Sequence, residues 1–174
     1  MITVMRGMAN VGATPRMTHH DKEGFSFAVE KYGSHQRAEL QRFYEGFEPK
    51  RGAQGLPPLD PEGVDRWLTS ILSTGIHLLA LREEQLIAHG LVMPTDREGV
   101  GEYAVFLRHD LRGRRIGTEL NWAMVEAARQ AGLHLLWLTV EPRNRSAIRS
   151  YEKVGFRFVP KTAFSVEPEM ELVL

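Results

Sequence analysis

The chain has 174 residues, 43% hydrophobic and 25% charged, with 22 Lys plus Arg balancing 22 Asp plus Glu. That length suits one domain with a substantial core, and the balanced charge supplies no global field for nucleic acid or an anionic membrane surface. Without a cysteine there is no disulfide framework, thiolate metal site or cysteine nucleophile, which suits a cytoplasmic protein.

Residues 1–22 lack the apolar middle of a signal peptide and read as a flexible extension ahead of one domain at 23–174. No apolar run approaches the roughly 20 residues that span a bilayer. The seven histidines show no H-x-x-x-H or H-E-x-x-H spacing, so no metal site is expected.

Alternation over Phe25–Tyr32 predicts a first strand. Ser34 is placed to cap a helix whose apolar residues Leu40, Phe43, Tyr44 and Phe47 fall at i, i+3, i+4 and i+7. Four prolines and three glycines between Glu48 and Gly63 predict a loop. Asp60 followed by Pro61 predicts a capped helix start, with Val64, Trp67, Leu68, Ile71 and Leu72 on its apolar face.

Ile76–Leu81 and Leu86–Met93 read as a hairpin, followed by a strand at Glu102–Leu107. Arg115–Ala131 carries the longest helical stripe, through Ile116, Leu120, Ala123, Met124 and Ala127, and Gly132 ends it. Leu133–Val140 is apolar at nearly every position, as a central strand covered on both faces would be. A helix around Ala147–Val154 and strands at Phe156–Val159 and Met170–Leu174 complete an order β-α-α-β-β-β-α-β-α-β-β, a mixed α/β sandwich.

Two segments carry chemistry. Leu111–Thr118, L-R-G-R-R-I-G-T, lies where a strand and loop give way to the long helix. Backbone N–H groups and the dipole at a helix start favour phosphate; Gly113 and Gly117 permit close approach, and Arg112, Arg114 and Arg115 add positive charge. Alone, the segment also fits a merely solvated basic helix start. The second, Val140–Phe156, is V-E-P-R-N-R-S-A-I-R-S-Y-E-K-V-G-F, in which Asn144, Ala147, Ile148 and Tyr151 share a helix face. Taken alone, Tyr151 could be a core aromatic and Asn144 a plain cap.

In this order and spacing, the two segments resemble the Gcn5-related N-acetyltransferase (GNAT) superfamily. The likeness covers roughly Leu79–Leu174. It implies a mixed, mostly antiparallel central sheet with helices on both faces, and direct transfer of an acetyl group from acetyl-CoA to a primary amine. The resemblance places Arg112, Gly113, Arg114, Arg115, Ile116, Gly117 and Thr118 at the cofactor's diphosphate, with Arg115 standing where the family's first glycine is usual. It sets Val105, Leu107 and Asn144 against pantetheine, lets Ala147 leave room beside the cofactor, and aims the Tyr151 hydroxyl at the thioester sulfur. A backbone N–H near Leu107 would stabilise the oxyanion. No metal is implied.

A lysine-like amine with a pKa of about 10.4 must lose a proton near pH 7, at about 4–5 kcal/mol. Glu102, at the start of the strand leading to the thioester, is a candidate base, as are Glu45 and Glu48; an exposed strand-end role fits Glu102 equally. His89, inside an apolar strand, reads as a core histidine. Glu102–Gly117 is also similar in wording to acetyltransferases of protein lysines. The segment between Leu40 and Trp67 should choose the acceptor. Glu45 and Glu48 would favour a cationic amine, Lys50 and Arg51 an acidic one, and the alternatives remain a small amine, an amino-acid derivative or a protein lysine. A homodimer is compatible with this reading, and neither nucleic acid nor membrane is an expected partner. Two competing readings are a non-catalytic acyl-CoA-binding or sensing domain and a nucleotide-binding module; the latter lacks both G-K-[ST] and G-x-G-x-x-G.

Overall fold

A computed structural model describes residues 16–48 and 57–174. The first strand, β1 (Met17–His20), lies inside the stretch expected to be a flexible extension. Its M-T-H-H sequence has no apolar alternation to announce it. Pairing holds it in place: Met17 lies opposite Val29 and His20 opposite Ser26 on β2 (Ser26–Lys31), and the His19 ring stacks on Phe27. Residues 17–20 of that stretch are thus a paired strand, and residues 1–15 lie outside the described set.

Ser34 does not cap the first helix with its side chain. Residues 34–36 form a 3-10 turn in which the Gly33 N–H donates to Gln36 Oε1 at 2.9 Å, and Gln36 Nε2 donates to Glu30 at 2.8 Å. Helix α1 (Arg37–Glu45) follows. Of the expected loop, residues 49–56, including Lys50, Arg51 and Leu56, lie outside the described set. Helix α2 (Pro61–Ile71) starts as its sequence demands: Asp60 Oδ1 accepts the Gly63 N–H at 2.7 Å, and proline occupies a first-turn position whose N–H would be orphaned.

Strands β3 (Ile76–Arg82) and β4 (Gln85–Pro94) form the expected hairpin. Its two turn residues, Glu83 and Glu84, both have positive φ, the twist that a two-residue hairpin loop requires. Strand β5 (Val100–Leu107) begins earlier than expected because Val100 and Gly101 pair with the next strand. Helix α3 (Ile116–Gln130), β6 (Leu135–Thr139), α4 (Arg145–Val154), β7 (Arg157–Phe158) and β8 (Glu169–Val173) complete the chain.

The eight strands form one sheet in the order β1-β2-β3-β4-β5-β6-β8-β7. All described pairings are antiparallel except β5 with β6. The parallel register spans Val100–Leu135, Gly101–Leu136 and Glu102–Trp137, and beyond Glu102 the two strands no longer pair. One face carries α3 and α4 over a core including Leu120, Met124, Leu136, Leu138 and Phe156. The other carries α1 and α2 over Leu40, Tyr44, Leu68, Leu79 and Phe106.

That second layer does not reach β6. Leu135 and Trp137 remain half-exposed and Thr139 exposed, so the strand is fully covered on one face, not two. Its apolar run therefore overstated its burial.

Candidate functional site

Where β5 and β6 part, a cleft opens between the end of β5 and the amino-terminal turns of α3 and α4. Val105 and Leu107, Arg112, Gly113, Arg115, Gly117, Thr118, Asn144, Ala147 and Tyr151 all border it. Two of the residues assigned from the sequence to the cofactor do not. Ile116 is 1% exposed and belongs to the core. Arg114 turns toward the β1–β2 turn, with its guanidinium 2.6 Å from Glu23 and 3.7 Å from Asp21. Carboxylates already occupy that cation, so they answer the charge assigned to a ligand.

The loop backbone alternates in hand. Gly113 has φ +80° and Arg115 +77°, and Arg115 caps α3 from the left-handed region. A non-glycine residue there costs about 1–2 kcal/mol, and the exposed Arg115 side chain carries no added burial penalty. The first α3 donor to find an intrahelical acceptor is the Thr118 N–H, which bonds the Arg115 carbonyl at 2.9 Å. Among the described residues, the N–H groups of Gly113, Arg114, Arg115, Ile116 and Gly117 have no acceptor. Consecutive free N–H groups in an alternating-hand loop at a helix start form a concave anion site.

At the other end of the cleft, Asn144 spends its side-chain oxygen on capping α4, accepting the Ala147 N–H at 3.2 Å. Its side-chain NH2 remains available toward the cleft. Tyr151 is 7% exposed and packs against Tyr103 and Phe156. Burial pushes its hydroxyl well above the ordinary tyrosine range, so the group keeps its proton. Among the described residues, no protein group bonds that hydroxyl.

A buried network fixes these elements relative to one another. The Tyr103 hydroxyl donates to Asn121 Oδ1 at 2.5 Å, and Asn121 Nδ2 donates to Ser150 Oγ at 3.0 Å, which lies 3.1 Å from Thr118 Oγ1. It ties β5, α3 and α4 together behind the cleft. Asn121 is fully buried, so Asn121→Leu strands the buried Tyr103 hydroxyl and takes one of two partners from Ser150, and should cost about 2–4 kcal/mol in urea unfolding. A loss below about 1 kcal/mol would show that the network contributes little.

Glu102 faces the opposite side of the sheet from Val105 and Leu107. It is exposed, in register with Met93 and Trp137. Glu45 is half-buried and accepts from Gln41 at 2.8 Å. Glu48 borders a second hollow with Glu39, Arg42, Phe43, Arg108 and His109. Phe47 borders both that hollow and the cleft, so the two lie on either side of one ring. His89 is fully buried, as its apolar strand suggests, but it is not isolated. Tyr44 Oη lies 2.6 Å from its Nδ1, and His77 Nδ1 lies 3.1 Å from its Nε2.

Lys22, Arg149, Ser150 and Lys153 also border the cleft. None of these four stood out in the sequence. Arg149 and Lys153 stand four apart on α4, a spacing that puts both on one helix face and could have flagged them. Among the described residues, no cluster of His, Asp and Glu could hold a metal ion, and no helix is long and apolar enough to cross a membrane.

The family model described as "Acetyltransferase (GNAT) family" matches residues 37–156. L-methionine sulfoximine/L-methionine sulfone acetyltransferases of Pseudomonas paraeruginosa and Pseudomonas aeruginosa are 36% identical over 58 residues, 33% of this chain and 34% of each relative. The match thus spans about a third of the length of those curated relatives. The GNAT domain of S. lividans PAT superposes with a TM-score of 0.75 at 18% identity, covering 91% of this chain and 97% of that one. A phosphinothricin acetyltransferase of Sinorhizobium meliloti, solved with AcCoA, gives a TM-score of 0.68 at 16% identity, covering 85% and 88%. At these identities the two structures speak for the fold.

Proposed function

The chain belongs to the acetyltransferase (GNAT) family, and from that premise we propose that the described residues, β1 included, act as one catalytic domain, moving an acetyl group from acetyl-CoA directly to a primary amine. The observation that carries this reading is the pairing, along one cleft, of a cradle of free N–H groups on Gly113, Arg115 and Gly117 with a protonated, unbonded Tyr151 hydroxyl. The cradle fits a diphosphate by charge and donor count. Val105, Leu107 and Ala147 give the stretch between the two ends an apolar wall.

Acetyl-CoA, when bound, supplies the activated acyl carbonyl and a thiol leaving group. Tyr151 donates a hydrogen bond at the sulfur position. Full proton transfer from it is uphill, because an ordinary thiol pKa is about 8.5 and burial holds the tyrosine above its usual value of about 10. Beyond Glu102, the β5 edge facing β6 carries unpaired backbone groups, and an N–H there can serve the developing oxyanion. The amine enters from the α1–α2 side, past Phe47, where Glu39, Glu48 and Asp110 border the hollow and Glu102 and Glu45 lie on the same side of the sheet. A small amine, an amino-acid derivative such as the curated relatives' substrates, and a protein lysine all satisfy this chemistry.

The test offers acetyl-CoA together with a mixed set of amines, amino acids, amino-acid sulfoximines and lysine peptides, with products identified by mass. At a hundred times its Kd, CoA should also stabilise the protein by about 2.7 kcal/mol, with no effect from ATP or NAD. Stabilisation by CoA without any acetylated product would favour a binding or sensing domain; no stabilisation at all would remove the cofactor reading.

A further inference from the structure

The turn between β1 and β2 is fastened to the anion-binding loop. The Lys22 N–H donates to the Arg114 carbonyl at 3.1 Å, and the Arg114 guanidinium pairs with Glu23 at 2.6 Å. Asp21, buried beneath them, shapes the turn: its Oδ1 accepts the N–H groups of Glu23 at 2.8 Å and Phe25 at 3.0 Å, and its own N–H donates to the Phe25 carbonyl at 2.9 Å. Burial pushes the Asp21 carboxyl up, but those two N–H groups and the Arg114 cation more than offset it and keep it ionised.

This arrangement takes Arg114 away from the cleft and brings Lys22 to it. Lys22 borders the cleft beside Arg112, Gly113 and Arg115, and among the described residues no carboxylate pairs with its ammonium. An ammonium on a flexible stem, with three donors, suits a phosphate approached across an open rim. Coenzyme A carries two such targets, its 5′-diphosphate and its 3′-phosphate.

We propose that Lys22 is a phosphate-binding residue for coenzyme A, presented by a turn that Asp21, Glu23 and Arg114 hold against the loop. The inference rests on the acyl-CoA reading of the cleft.

Calorimetric titration of the purified chain with CoA and with 3′-dephospho-CoA tests it. Lys22→Met should weaken CoA binding about three- to thirtyfold and reduce its salt dependence, and Lys22→Arg should restore most of the loss. An equal loss with both ligands assigns Lys22 to the diphosphate, and a loss with CoA alone assigns it to the 3′-phosphate; either supports the proposal. Wild-type affinity of Lys22→Met for both ligands overturns it. So does a loss that Lys22→Arg fails to restore and that accompanies a lowered melting temperature, since the residue would then serve the fold. If the wild-type chain binds neither ligand, the cleft assignment itself fails.

Discussion

Replacing Tyr151 with phenylalanine should lower turnover by about ten- to a thousandfold while leaving acetyl-CoA affinity within about twofold. The ring is nearly buried against Tyr103 and Phe156, so phenylalanine preserves the packing and removes one oxygen. No protein group depends on that oxygen among the described residues, so the fold loses no hydrogen bond. What disappears is a donor held protonated by burial at one end of the cleft. Steady-state kinetics with separate kcat and KM, beside a binding titration, would check this. Unchanged kcat would falsify a role for Tyr151 in the chemistry.

Acid should weaken the fold more steeply than carboxylates alone can explain. His77 Nε2 lies 3.0 Å and 2.8 Å from the carbonyls of Ile71 and Thr74. Carbonyls only accept, so that nitrogen carries the proton and His77 Nδ1 accepts from His89 Nε2. His89 Nδ1 then accepts from the Tyr44 hydroxyl. The chain of donors has one direction and no place for an extra proton. Burial pushes both histidines below their ordinary value, His89 further than His77, and for His89 the neighbouring His77 adds to it.

The sign follows. Above pH 6.5 both imidazoles are neutral in folded and unfolded chains, and the pair contributes no pH dependence. Below it the unfolded chain binds protons that the fold excludes, so stability falls as pH drops toward the folded pKa values. Each histidine contributes up to about 1.36 kcal/mol per pH unit, so urea unfolding should show a loss of about 2–4 kcal/mol between pH 7 and pH 5. A flat profile over that window would mean that the pair accepts protons without disturbing its neighbours.

Much of the architecture could be read directly. The Asp60–Pro61 start and the long stripe of α3 declare themselves because a cap and a 3.6-residue period are local. Strand β1 was illegible because its stability comes from pairing with β2 and a His19–Phe27 stack, neither visible in M-T-H-H. At the site, Asn144, Ala147 and Tyr151 share one helix, and their common face was accessible to spacing alone. The direction taken by Arg114 was not, since it depends on Glu23 and Asp21 more than ninety residues earlier in the chain. The Tyr44–His89–His77 chain was hidden for the same reason: it assembles only when β3, β4 and α1 meet. Distant partners, not local pattern, decided what was missed.

The left-handed backbone at Arg115 has a thermodynamic corollary. Its conformational penalty is met when the polypeptide folds, and the rest of α3 and the neighbouring turn keep it in place. An arriving anion therefore finds its donors preorganised and surrenders little entropy to align them, so most of the electrostatic attraction is left to appear as affinity.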